Sequence, residues 1–354
     1  MSLIIAPTLD CNFRCPYCFE DLKKIYMTKG TVNAIKNFVR NKIKNGVTNL
    51  NVSWYGGEPL LCKKIICDLS EIFNSINYES ILFTNGYLLD EKFIEKLPKL
   101  GIKTVQITVD GTKEIHDSRR FLLGGKPTFS KIKENIENLV KANNQQLKII
   151  LRINLDFQNI NSFEPLIEEF KNMSGKIRIT FVKTCSGLGA GENYPGCFDV
   201  KSYKKISANF RELLYTNKFG IRKLPMQVNC ACYAETANSF AVDPFGNVYK
   251  CIAGISLQKD KLGTLTTAGD IKYNQVELEK WNSYNILEDV ECLNCKYLPI
   301  CMGGCTLSRF EESRRTNPDK KKNCFYETGG PSLEERVIQY YQEHSKDSSN
   351  VKFA

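Results

Sequence analysis

Residues 10–20 read Asp10-Cys11-Asn12-Phe13-Arg14-Cys15-Pro16-Tyr17-Cys18-Phe19-Glu20, a run that puts three cysteines into eight residues directly after an apolar stretch. No fourth cysteine follows nearby. Such a group either borrows a distant ligand or leaves one coordination place open, and what lies downstream decides which fold presents it.

Downstream, short β-branched runs alternate with helical patterns up to about residue 183. Residues 2–7 read as a first strand. Val32, Ile35, Val39 and Ile43 then share one helical face, and Leu50, Val52 and Trp54 alternate in a second strand that stops at Gly56-Gly57. Further strands are expected at 80–84, ending at Asn85-Gly86, at 104–109, ending at Asp110-Gly111, and at 148–155 and 177–183. Phe129, Ile132, Ile136, Leu139 and Val140 form a helical stripe between them. Strand and helix alternating in this way predict an α/β fold, a partial (β/α)6 TIM-like barrel of parallel strands. Such folds gather their chemistry at the carboxyl ends of the strands, where the three-cysteine loop, Gly56-Gly57-Glu58-Pro59, Thr84-Asn85-Gly86 and Asp110-Gly111 all fall.

The 354-residue length and 42% hydrophobic content support one large domain and a smaller one. No apolar run approaches the ~18–20 residues of a membrane span, and the first residues lack the features of a signal peptide, so a cytoplasmic protein without a membrane partner is expected. The net charge of +10 is spread along amphipathic segments, and the run Lys320-Lys321-Lys322 reads as a solvated loop. The charge therefore argues for an acidic partner more than for nucleic acid. With two histidines, His-rich zinc sites are poorly supplied, whereas 15 cysteines, an odd count without a secretion signal, point to metal binding rather than disulfides.

Spaced C-x3-C-x2-C, Cys11, Cys15 and Cys18 can reach three corners of a [4Fe–4S] cubane and leave one iron without a protein ligand. Ordinary electron-carrying clusters take four cysteines. The competing reading is a structural zinc site that borrows a distant cysteine. Together with Tyr17 before the last cysteine and the Gly56-Gly57-Glu58-Pro59 turn, the loop resembles the radical S-adenosylmethionine (radical SAM) enzymes over about the first 220 residues. In that family the open iron is chelated by S-adenosylmethionine, and the reduced cluster cleaves it to a 5′-deoxyadenosyl radical that removes hydrogen from substrate. The resemblance implies Cys11, Cys15 and Cys18 as catalytic cluster ligands, Tyr17 against adenine, and Gly56 and Gly57 as an opening for the methionyl amine, with Glu58 as its partner. It further places Thr84, Asn85, Thr108, Asp110, Arg120, Arg152 and Asn154 where the family contacts ribose and carboxylate. Strand propensity alone would also explain Thr84 and Thr108, and a surface cation Arg120.

The remaining chain divides into a connector from about 185 and a cysteine-rich segment, so the expected domains are 1–225, 226–330 and a helical tail, 331–354. The tail's packing face is Leu333, Val337, Ile338 and Tyr341. The second cysteine set, Cys232, Cys251, Cys292, Cys295, Cys301, Cys305 and Cys324, resembles the SPASM extension of radical SAM enzymes that act on peptides. The resemblance implies two auxiliary [4Fe–4S] clusters, making three in all: an outer one on Cys292, Cys295, Cys301 and Cys324, and an inner one on Cys232, Cys251 and Cys305. Cys230 either closes the inner cluster or leaves an iron open to a substrate thiolate. Gly303-Gly304 suits either case, since absent side chains let backbone amides crowd cluster sulfurs. Taken alone, the knuckle could also hold zinc. Cys62 and Cys67 read as buried thiols in a helix; Cys185, after the sixth strand, reads as a packing residue with a catalytic role at the barrel mouth as the alternative, and Cys197 lies in the connector.

Two relatives of this class compete: maturases that install thioether or carbon–carbon crosslinks in ribosomally made peptides, and sulfatase maturases that oxidise cysteine or serine to formylglycine. The sulfatase family carries an acid after the cysteine of its G-x4-C segment and Gln before Gly-Gly-Glu-Pro, where this chain has Ile252 and Tyr55. The expectation is therefore a peptide crosslinking enzyme with a peptide or small-protein substrate and a flavodoxin or ferredoxin reductant. Strand one begins at residue 2, so a leader peptide would need a separate binding protein or the barrel surface, if there is a leader at all. The alternative from another class is a zinc-stabilised nucleic-acid-binding protein.

Overall fold

The computed structural model describes residues 1–143, 146–184, 194–198, 200–220, 226–313 and 332–344. Two compact units make up the chain, one of Met1–Phe198 with Ala237–Asn282 and the other of Asp199–Thr236 with Ser283–Ala354. The expectations for Cys185, Lys320–Lys322 and Cys324 lie outside the described residues.

In the first unit, β1 (Ser2–Ile5), β2 (Asn49–Trp54), β3 (Asn77–Thr84), β4 (Ile102–Thr108), β5 (Lys148–Leu155) and β6 (Ile177–Lys183) pair in sequence order, all parallel. The helices α1 (Lys29–Lys44), α2 (Lys63–Phe73), α3 (Glu91–Ile94), α4 (Lys113–Arg119), α5 (Phe129–Ala142) and α6 (Phe163–Glu169) alternate with them. This is the partial-barrel arrangement that the alternating patterns predict. The strands show why: Leu50, Val52 and Trp54 are buried on one face, with Trp54 stacked on Phe73 of α2 at 6.2 Å, while Ser53 on the other face is only half-buried. Helix α1 starts where the Thr28 hydroxyl accepts from Thr31 N–H and buries Val32, Ile35, Phe38 and Val39.

The sheet continues beyond the expected barrel. Strand β7 (Ser239–Val242) pairs parallel with the free edge of β1, Ser2 opposite Ser239 and Ile5 opposite Val242, and β8 (Asn247–Tyr249), β9 (Gly263–Leu265) and β10 (Ile271–Tyr273) follow antiparallel. Residues Ala237–Asn282, placed by sequence in a C-terminal domain, thus pack in the first unit. The cause is apolar: every residue of β7 is buried, and Phe240 meets Phe38 of α1 edge-on at 5.3 Å. The turn into β8 is closed by Asp243, whose Oδ1 accepts from Phe245 and Asn247 N–H, with Gly246 at φ +83°.

The second unit carries α7 (Val200–Thr216), α10 (Val290–Leu293), α11 (Leu298–Cys301), α12 (Thr306–Ser313) and α13 (Leu333–His344); α8 (Ile252–Leu257) and α9 (Gln275–Asn282) belong to the first. Val337, Ile338 and Tyr341 of α13, expected to pack, are exposed. No helix among the described residues is long and apolar enough to cross a membrane.

Candidate active site

The loop after β1 is held from three sides. Asp10 Oδ1 accepts from Cys11 N–H at 2.9 Å and its Oδ2 accepts from Tyr26 O–H at 2.5 Å. On the far side, Arg14 N–H donates to Phe121 O and Leu123 N–H to Asn12 O, so the loop pairs with the segment after α4. Asn85 Nδ2 donates to Asn12 Oδ1 at 2.8 Å and lies 3.9 Å from Cys11 Sγ. Cys18 N–H closes a turn on Cys15 O.

The Gly-Gly-Glu turn after β2 braces the same loop. A Cβ on Gly56, which has φ +111°, would stand 2.3 Å from Thr8 O, and one on Gly57 would stand 2.2 Å from Asp10 O. Gly57 and Glu58 N–H donate to Thr8 O and Asp10 O. The glycines therefore open space for the chain's own first loop. Glu58 is turned inward: Oε1 accepts from Leu60 N–H and Thr84 Oγ1–H, and Oε2 from Asn85 N–H. Burial pushes its carboxyl up, and those donors oppose the shift. In this structure Glu58, expected as a partner for an amine, ties the end of β3 to the cysteine loop.

A second group surrounds Tyr17. Its hydroxyl donates to Asp110 Oδ2 and accepts from Arg120 Nη1 at 2.6 Å and Asn154 Nδ2 at 3.3 Å. Asp110 Oδ1 accepts from Asn154 N–H, and Arg119 Nε and Arg120 Nη1 lie 3.8 Å and 4.0 Å from Oδ2. The structure thus brings together Tyr17, Asp110 and Asn154 from three separate strand ends and Arg120 from the end of α4. Arg152 reaches Asn154 at 3.4 Å, and Thr108 lies opposite Arg152 in the sheet register. Burial pushes the Tyr17 phenol up, and burial likewise opposes the Arg120 charge, which Cys15, Tyr17 and Asp110 nonetheless hold above the usual range.

The residues suit a bound cluster and its ligand. Burial, with Glu58 and the other cysteines beside Cys11 and with Cys15 beside Cys18, pushes both thiols up to about 12, so cations such as iron are needed to hold three thiolates here. Asn12 Nδ2 and Arg120 Nε are buried without hydrogen-bond partners. Orphaned donors beside a thiol triad are what a polar ligand would satisfy. No three His, Cys, Asp or Glu side chains among the described residues share one single-ion centre.

Arg119 is a part of this site that sequence reasoning missed. It is 2% exposed, pairs with Asp156 at 2.8 Å and sits 4.9 Å over the Tyr17 ring. The adjacent arginines Arg119-Arg120 were the signal. Also missed were Glu20, which accepts from Tyr55 O–H, and His116, whose Nδ1 accepts from Asp110 N–H at 3.3 Å while Nε2 meets Thr128 Oγ1 at 3.2 Å.

Burial, reinforced by Arg120, lowers His116 to about 3 from 6.5. The unfolded chain therefore binds a proton that the native chain refuses, and stability present above about 6.5 is lost as pH falls toward 3. Unfolding by urea should show a wild-type slope between pH 6 and 4 steeper by about 1.4 kcal/mol per pH unit than that of His116→Asn. Equal slopes would show that His116 protonates freely in the fold.

In the second unit, Cys232 lies near enough to Cys305 and Cys230 for both to add to the rise that burial causes in its pKa. Cys292 and Cys295 share one turn, Cys295 N–H donating to Cys292 O. The Cys301–Cys305 loop runs through Met302, Gly303 and Gly304, all at positive φ, and a Cβ on Gly303 would stand 2.5 Å from Ile286. Its missing side chain thus serves packing, while Gly304 meets nothing and is needed for its φ of +75°. Cys251 belongs to the first unit and caps α8. Cys62 is buried, as expected of a packing thiol, whereas Cys67, also expected to be buried, is half-buried.

With this geometry in place, residues 5–170 match the family described as the Radical SAM superfamily. The chain carries a radical SAM domain, which implies S-adenosylmethionine and a [4Fe–4S] cluster. It is 23% identical over 336 residues to a cysteine-type anaerobic sulfatase-maturating enzyme of Clostridium novyi (strain NT), covering 86% of this chain and 87% of the relative. It is 24% identical over 246 residues to the sporulation killing factor maturation protein SkfB of Bacillus subtilis (strain 168), covering 69% of this chain and 55% of that protein. In fold it resembles native anSMEcpe with bound AdoMet and Cp18Cys peptide, with a TM-score of 0.69, 22% identity and 99% of each chain covered.

Proposed function

We propose that the chain is a cytoplasmic radical SAM peptide maturase that installs a thioether or carbon–carbon crosslink in a ribosomally made peptide. When bound, the reduced cluster and S-adenosylmethionine supply hydrogen abstraction from an unactivated carbon. Cys11, Cys15 and Cys18 are the cluster ligands, and Tyr17, Asp110, Arg120 and Asn154 form the polar wall beside them. Cys292, Cys295, Cys301 and Cys324 are the ligands of an outer auxiliary cluster in a SPASM domain, and Cys232, Cys251 and Cys305, with Cys230 beside them, those of an inner one. A flavodoxin or ferredoxin serves as reductant.

The observation that favours a crosslink is Ile252, the first residue of α8 directly after Cys251, where an apolar side chain can take no substrate proton. Sulfatase-type formylglycine formation is the second reading, because the similarity to the Clostridium novyi enzyme runs over 87% of that protein. Reduced enzyme, S-adenosylmethionine and the small peptide encoded beside its gene should give 5′-deoxyadenosine and a peptide lighter by two hydrogens that does not react with a hydrazide. A hydrazide-reactive aldehyde would transfer the assignment to the second reading. A colourless zinc protein without iron would overturn both.

A further inference from the structure

Arg309 occupies an unusual position among the C-terminal cysteines. It lies one turn into α12, which begins directly after Cys305, and its N–H donates to Cys305 O at 3.1 Å. From there the guanidinium reaches across to the other cysteine set. Nη2 stands 3.2 Å from Cys292 Sγ, Nε donates to Gly303 O at 3.0 Å, and Nη1 stands 3.3 Å from Asp289 Oδ2. Asp289 in turn accepts from Cys292 N–H through Oδ1 at 3.1 Å. One arginine and one carboxylate therefore hold both the sulfur and the amide of Cys292.

A half-buried guanidinium normally ends on carboxylates or carbonyls, which are strong acceptors. Here one of its donors is spent on sulfur, although Asp289 and a carbonyl are already engaged. That is the arrangement found around metal-bound thiolates, where hydrogen bonds and nearby charge orient the ligand and set the potential of the metal. Tyr284 adds to it: its buried hydroxyl has no partner among the described residues and would stand 3.2 Å from a Cβ on Gly303, in the loop between Cys301 and Cys305.

We propose that Arg309 is the positioning residue that fixes Cys292 as a cluster ligand and raises the reduction potential of the auxiliary cluster it holds. This rests on the reading of the C-terminal cysteines as cluster ligands. A cation donating to the thiolate favours the form of the cluster that carries one more electron. Asp289 works in the opposite direction, but its carboxylate is occupied by the N–H groups of Glu291 and Cys292 and by the guanidinium itself.

The test uses the full chain, reconstituted anaerobically, with iron counting and a redox titration followed by electron paramagnetic resonance. Wild type, Arg309→Lys and Arg309→Gln should carry equal iron. In Arg309→Gln one cluster signal should titrate at a more negative potential, Arg309→Lys should fall between it and wild type, and the signal that responds to S-adenosylmethionine should not move. Unchanged potentials with intact iron overturn the role of Arg309 alone. Iron lost in Arg309→Gln and not restored by lysine reduces the residue to a structural support and overturns the tuning. A wild type that binds only about four irons removes the auxiliary clusters themselves and the assignment with them.

Discussion

Alanine at Cys11, Cys15 and Cys18 together is expected to remove about four irons per chain and all release of 5′-deoxyadenosine, while the chain stays folded. The loop is held mainly by hydrogen bonds of Asp10, Asn12, Arg14 and the backbone; the sulfurs add long contacts, those of Cys11 Sγ with Phe13 N–H at 3.4 Å and Asn85 Nδ2 at 3.9 Å among them, so the fold does not depend on them. Gly57→Ala should lose the same iron with every cysteine present. Its Cβ would stand 2.2 Å from the carbonyl oxygen of Asp10, a backbone atom that cannot swing aside, so the loop itself has to move. Overpacking of this kind costs about 1–3 kcal/mol, and the displaced residue adjoins Cys11. Iron analysis and chromatography of the nucleoside read both variants. Retention of iron by the triple variant would remove the loop from cluster binding altogether.

The triad and the Gly-Gly-Glu turn are legible because their spacing is local: each lies on one loop, after one strand. The strand ends were readable for the same reason, since alternation in β2 and the stripe of α5 are patterns within a single element. What the sequence hides is how the loops fit together. Nothing in Gly56-Gly57 indicates that the side chains are missing to make room for Thr8 and Asp10, and nothing in Glu58 that its oxygens end on Thr84 and Asn85.

Strand β7 shows the same limit on a larger scale. Ser239–Val242 is too short for a period to declare itself, and its parallel partner is β1, at the other end of the chain. The cysteines on either side drew the reading toward one separate domain. In the structure, the burial of Phe240 against Phe38 is an apolar contact that no neighbouring residue announces. Arg119 went unread because it acts through Asp156 and the Tyr17 ring, which are distant in sequence.

That network carries the second large effect. Asp110→Asn should lower stability by about 3–5 kcal/mol, the usual cost of leaving buried charge uncompensated, and should abolish 5′-deoxyadenosine release. Asp110 is fully buried, and Arg119 and Arg120 beside it are 2% and 7% exposed. Removing its charge leaves two guanidiniums with Asp156 as the remaining carboxylate, and of the two arginines Asp156 pairs with Arg119 and not with Arg120. The Tyr17 hydroxyl, which donates to Asp110, would then also have to turn. Tyr17→Phe deletes only that hydroxyl and keeps every charge, so its cost should be smaller, about 1–3 kcal/mol. Thermal unfolding of the two variants orders them. If Asp110→Asn unfolds no earlier than Tyr17→Phe, the site is held by the phenol and its packing rather than by the carboxylate between two arginines.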